Sequence, residues 1–116
     1  MDATMQIFAD KIKETIETID LLTEAIAKNR AYAAERLMPV FINLLQAVIP
    51  IIISSYELPQ LQDEAEDMTY WQGQMERIME ALEREDWFAM IDVLHYETKE
   101  NLMLYLDRME KMEIVL

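Results

Sequence analysis

From Leu37 to Ile53 the chain reads Leu-Met-Pro-Val-Phe-Ile-Asn-Leu-Leu-Gln-Ala-Val-Ile-Pro-Ile-Ile-Ile, and only Asn43 and Gln46 in it are strongly polar. No other segment is apolar on every side. Water disfavours such a surface, so the other segments are expected to cover it. At 17 residues the stretch falls short of a helical membrane span, which needs about 20. Two prolines interrupt it and no basic cluster flanks it closely. The reading that follows is a buried core helix with no membrane contact.

A strand over 48–53 competes locally, because Ile51, Ile52 and Ile53 are β-branched. The chain offers it no obvious partner. One Gly and three Pro are too few to punctuate a meander of strands, and Glu, Leu, Ala, Met and Gln abound. That composition favours helices.

Four helices are expected. The first runs from Asp2 or Thr4 to about Lys28, with Phe8, Ile12, Ile16, Ile19, Leu22 and Ile26 in one stripe and Asn29 as its stop. The second begins near Ala31 and reaches Ser54 or Ser55. Pro39 and Pro50 predict a kink or break in it, above all at Pro50. A linker then leads to Pro59, which suits the first turn of a third helix ending at Glu83 or Arg84. Leu61, Ala65, Met68, Trp71, Met75, Ile78, Met79 and Leu82 mark its inner side. Gly73 there either admits a neighbouring helix or is incidental. The fourth starts at the N-cap Asp86 and continues to about Met112, with Trp87, Met90, Ile91, Leu94, Leu102, Tyr105, Leu106 and Met109 facing inward. Ile114-Val115-Leu116 follows as an apolar end. The run Ala25–Ala33 echoes Ala81–Ala89 at an offset of 56 residues, as two tandem hairpins or merely two similar turns would produce. The expected fold is a single all-α domain over 1–116: an antiparallel four-helix bundle of two helical hairpins, with helix 2 kinked by proline.

Charge and residue content exclude several chemistries. The net charge of −13 is concentrated in residues 59–116, which hold fifteen acids against five bases. Such a surface repels phosphate backbones, so no nucleic-acid partner is expected. The absence of Cys removes disulfides and thiolate chemistry. The N-terminus shows neither a basic nor an apolar leader region, which points to a cytoplasmic protein. Asp92 and His95 share a face at i, i+3, but a single His cannot complete a carboxylate–histidine metal bundle. A hydrogen-bonded or solvated pair is expected there, and no cofactor. Glu14 with Glu17, Glu64 with Asp67, and Glu80 with Glu83 have the spacing by which all-helical hydrolases hold magnesium. Helices this rich in acid produce that spacing by chance as well.

The run Asp86-Trp87-Phe88-Ala89-Met90-Ile91-Asp92-Val93-Leu94-His95-Tyr96-Glu97 resembles a motif of a largely uncharacterised family of small helical proteins of Gram-positive bacteria, some of which lie near flagellar genes. Asp86, Trp87, Asp92, Leu94, Tyr96 and Glu97 carry the match. Thr98-Lys99-Glu100 stands where those proteins usually carry Pro. The resemblance implies a helical bundle and no known activity.

The functional expectation is a non-catalytic protein-interaction module, chaperone- or adaptor-like, that binds a partner helix or a second copy through apolar helix 2. Phe41, Leu45, Val48, Ile52, Trp71, Met75, Trp87 and Met90 are the candidate contact residues. Asp86, Asp92, Tyr96 and Glu97 are candidate polar ties. The alternative is a small magnesium-dependent hydrolase built on the paired carboxylates. The aromatic pairs Tyr70-Trp71 and Trp87-Phe88 are expected to fill the core.

Overall fold

Helix-forming composition and apolar periodicity give four helical rods and no strand among the residues that the structure, a computed structural model, describes: 3–58 and 65–112. They are α1 (Ala3–Ala27), α2 (Ala31–Ser55), α3 (Ala65–Glu83) and a fourth rod in three consecutive parts. Those parts are α4 (Trp87–Ile91), a π-helical segment (Asp92–Thr98) and α5 (Lys99–Met112). The expected start of the third helix at Pro59, with Leu61, and the apolar end Ile114-Val115-Leu116 lie outside the described residues. So does the Met68 side chain.

The two internal helix-to-helix turns are the same turn. After α1 the chain reverses through Asn29 at φ 56°, and after α3 through Glu85 at φ 53°. In the first, Arg30 N–H donates to Ala25 C=O (2.8 Å) and Asn29 N–H to Ile26 C=O (3.1 Å). In the second, Asp86 N–H donates to Ala81 C=O (3.0 Å) and Glu85 N–H to Leu82 C=O (3.2 Å). Both are Schellman closures, which satisfy the last carbonyls of a helix by placing one residue in the left-handed region. The sequence echo therefore coincides with a shared turn geometry. The copies differ in chemistry. Asn tolerates the left-handed conformation, whereas Glu does so at a cost. Asp86 caps α4 by accepting the Ala89 N–H at 3.1 Å, while Arg30 makes no such bond.

Packing centres on α1 rather than on α2. α1 lies along α2 on one side and against the fourth rod on the other. It buries Met5, Phe8, Ala9, Ile12, Ile19, Leu22 and Ala25 together with Thr15, Thr18 and Thr23. The threonines can be buried because each hydroxyl donates back to a carbonyl of its own helix: Lys11 (2.8 Å), Glu14 (2.8 Å) and Asp20 (3.1 Å). α3 packs against α4 and the π segment, and meets α2 only briefly. Gly73 admits no neighbouring helix, since a Cβ there would meet only the Arg77 side chain, at 3.8 Å.

The π segment corrects the register of the fourth rod. Its buried line runs Met90, Leu94, Thr98, Leu102, three successive steps of four residues. In an α-helix each such step overshoots one turn by about 40°, so the line would drift off the core. The wider register, in which Lys99 N–H donates to Leu94 C=O five residues back, holds it in place.

Replacing Glu85 by Gly should raise stability by about 1 kcal/mol by relieving the left-handed residue. Denaturant melts would show a higher midpoint at an unchanged slope. An unchanged or lowered midpoint would mean that Glu85 bears no conformational cost.

Candidate functional site

α2 has an inner and an outer face, so the other described helices do not cover its whole circumference. Phe41, Leu44, Leu45, Val48, Ile49 and Ile52 are buried, largely against α1. Pro39, Val40, Asn43, Gln46, Ala47, Pro50, Ile51 and Ser54 face solvent. No Asp, Glu, Lys or Arg occurs between Leu37 and Tyr56, so this outer face is uncharged on a chain of net charge −13. Among the described residues, α1 lies along α2 and no other helix packs on it at length.

The prolines shape this face. Neither has an N–H, so the Glu35 and Gln46 carbonyls lack the donor four residues on that a helix supplies. α2 nonetheless continues through both positions from Ala31 to Ser55. A groove of about 500 Å³ lies beside Pro39, lined by Glu35 at its end, by Met38, Ile42, Asn43 and Gln46, and, from the start of α4, by Trp87. A second, of about 360 Å³, lies beside Pro50, lined by Ile51, Ser54, Ser55 and Leu58. Val40 and Ile51 protrude, at 46% and 41% exposed.

The contact residues expected from sequence fall mostly elsewhere. Phe41, Leu45, Val48, Ile52, Trp71 and Met90 are all in the core, and Met75 is half-buried. Trp87 alone reaches the outer groove. Of the aromatic pairs expected to fill the core, only Trp71 is buried; Tyr70, Trp87 and Phe88 are exposed, Phe88 to 82%. The residues that do line the outer face had a signal in the sequence. Pro39, Asn43, Gln46 and Pro50 recur at spacings of four, three and four, which is one stripe of a helix.

A buried polar node anchors the C-terminal end of α2. The Tyr105 hydroxyl donates to Ser55 Oγ (2.6 Å), which itself donates to the Ile52 carbonyl (2.6 Å). Trp71 Nε1 donates to the Tyr56 hydroxyl (3.2 Å). The Tyr105 ring meets Phe8 edge-on at 6.5 Å and Tyr56 at 6.4 Å. Burial pushes the Tyr105 phenol up from 10.0 to about 12, against the smaller opposing effect of its Ser55 bond.

Of the candidate polar ties, Asp86 caps α4, and Glu97 links the π segment to α3. Glu97 accepts from Arg77 Nη2 (2.8 Å) and from the Tyr70 hydroxyl (3.2 Å). Asp92 and Tyr96 are exposed, and the Tyr96 ring sits edge-on to His95 at 4.9 Å. No hydrogen bond joins Asp92 to His95, and both face solvent. A π turn spreads residues three apart onto different faces. Among the described residues no three His, Asp or Glu side chains converge as a metal site would require. Glu64 and the Asp67 side chain lie outside those residues. Glu76, Glu80 and Glu83 instead line a shallow groove with Met75 and Met79 on the solvent side of α3.

No protein-family model, curated protein or solved structure matches the chain.

Two outcomes test the packing behind this face. The folded chain holds the Tyr105 proton to higher pH than the unfolded chain does. That contribution to stability is full below pH 10 and is lost as pH rises toward 12, by about 2–3 kcal/mol in all. Tyr105→Phe should cost about 1 kcal/mol at neutral pH and flatten that alkaline fall; denaturant melts from pH 8 to 12 decide it. Gln74 is buried on α3 with neither amide atom hydrogen-bonded. Gln74→Leu should therefore raise the melting free energy by about 1–3 kcal/mol, and a loss of stability would mean that the amide has a partner.

Proposed function

We propose that the chain is a non-catalytic, cytoplasmic protein-interaction module, chaperone- or adaptor-like, whose docking surface is the outer face of α2. The observation that carries this reading is an uncharged helical stripe with two grooves and two protruding apolar side chains, on an otherwise acidic molecule. Exposed apolar surface of that kind is a property of docking sites. The finer architecture belongs to the same proposal: an antiparallel four-helix bundle of two hairpins, with α2 bent at Pro50. The matched turns at Asn29 and Glu85 support the two hairpins, since each reverses the chain by the same closure. The resemblance of Asp86–Glu97 to small helical bacterial proteins is in keeping with a bundle and adds no activity.

α2 is also long and apolar enough to cross a membrane, a test that core helices of soluble proteins pass as well. Spanning would require α2 to leave α1 and expose Phe41, Leu45, Val48 and Ile52, which α1 helps to bury. The magnesium hydrolase reading draws no comparable support from the described residues, because the pairs Glu14/Glu17 and Glu80/Glu83 are exposed on separate helices.

An apolar dye tests the proposal on dilute, monomeric protein. Wild type should enhance dye fluorescence. The variant carrying Val40→Lys and Ile51→Lys should lose that enhancement while its stability changes by less than about 1 kcal/mol, because both side chains already face solvent. Dye binding that persists in the folded variant would place the docking surface elsewhere.

A further inference from the structure

We infer that the occupant of the α2 outer face is a second copy of this chain, docked antiparallel about a two-fold axis between Gln46 and Ala47. This rests on the reading of that face as a docking surface and names its partner.

Charge is the first argument. Two copies, each of net charge −13, repel wherever their acidic surfaces meet. Between Leu37 and Tyr56 the α2 stripe carries no carboxylate, and Glu35 stands at the end of the groove beside Pro39. A basic partner would be drawn instead to the acidic groove on α3, where Glu76, Glu80 and Glu83 gather.

Register is the second argument. With Gln46 set against Ala47 of the partner subunit, the features of the stripe fall on their complements. Ile51, which protrudes, lies opposite Ile42 of the partner subunit, in the groove beside Pro39 and Trp87. Val40 lies at the partner's second groove, beside Ser54 of the partner subunit. Each contact occurs twice, as a two-fold interface demands. The stripe is also bounded by opposite charges. Arg36, held over the Tyr32 ring at 5.8 Å, is exposed at one end, and Glu57 is exposed at the other. Neither makes an ion pair among the described residues. They stand roughly 30 Å apart at about 1.5 Å per residue. The same antiparallel register sets each Arg36 against Glu57 of the partner subunit. A parallel pairing would set like against like.

Polar groups supply the third argument. Asn43 lies opposite Pro50 of the partner subunit, one turn from the Gln46 carbonyl that this proline leaves without its helical donor. The Asn43 carboxamide is therefore placed to donate to it. A polar residue in an apolar helix pair sets register in this way.

Sedimentation velocity of the full chain over a dilution series tests the inference. A concentration-dependent monomer–dimer equilibrium is expected. Ile51→Glu should weaken it by roughly 100-fold or more, because the new carboxylate would be buried unpaired. Ile7→Glu, exposed on α1 and away from the interface, should leave it unchanged. Arg36→Glu and Glu57→Arg should each weaken the dimer by about tenfold, and the double variant should return to within about threefold of wild type. A monomer at every concentration overturns the second copy as occupant. If that monomer still binds the apolar dye through Val40 and Ile51, the docking-face reading survives with another partner. If it binds neutral phosphatidylcholine vesicles instead, both readings fall. A double variant weaker than either single one overturns the antiparallel register.

Discussion

The fold depends on α1 being buried from two sides. A helix in that position cannot carry charged side chains inward, yet a helix apolar all round would aggregate before it folded. α1 resolves this with threonine. Thr15, Thr18 and Thr23 present a methyl group to their surroundings and return the hydroxyl to the helix backbone. Buried hydroxyls with that option need no partner from another element. α1 can therefore meet α2 along one side and the fourth rod along the other while keeping Lys11, Lys13, Glu14 and Glu17 in water.

That central role explains which parts of the architecture are legible in the sequence. Four helices and their ends are, because capping residues, apolar periodicity and the repeated Ala–apolar turn all act within a few residues of one another. The observed bounds of α1, α2 and the end of α3 fall within a residue or two of those expected. The hub is not legible in the same way. Apolar content singles out Leu37–Ile53, but content measures the wish to be covered and not the neighbours available to do it. A threonine scores as polar in such a reading, although on a helix it can be buried at little expense. The π segment is hidden for a related reason. Its trace is the eight-residue gap between Leu94 and Leu102 in the apolar stripe, which a buried Thr98 fills.

The apolar character of α2 was legible in the sequence, but not which of its residues face outward. Choosing the largest apolar residues of α2 selects Phe41, Leu45, Val48 and Ile52, and these are large because they pack on a neighbour. The residues left facing solvent are the smaller and more polar ones, Pro39, Asn43, Gln46, Ala47 and Pro50, with Val40 and Ile51 between them. In a stretch apolar on nearly every side, the few exceptions are the informative positions. Here they form a stripe.

Proline explains why that stripe faces outward. Each of Pro39 and Pro50 removes one backbone donor and so frees one carbonyl, at Glu35 and at Gln46. On the inner face those carbonyls would be buried beside aliphatic side chains with no donor in reach, at about 1–3 kcal/mol each. On the outer face they meet water, or a donor brought by whatever docks there. The spacing of the prolines, eleven residues or close to three full turns, keeps both freed carbonyls on the same side. One backbone constraint thus orients α2 in the fold, opposes the sealing of its outer face by another apolar helix of the same chain, and leaves on it two carbonyls that water can satisfy.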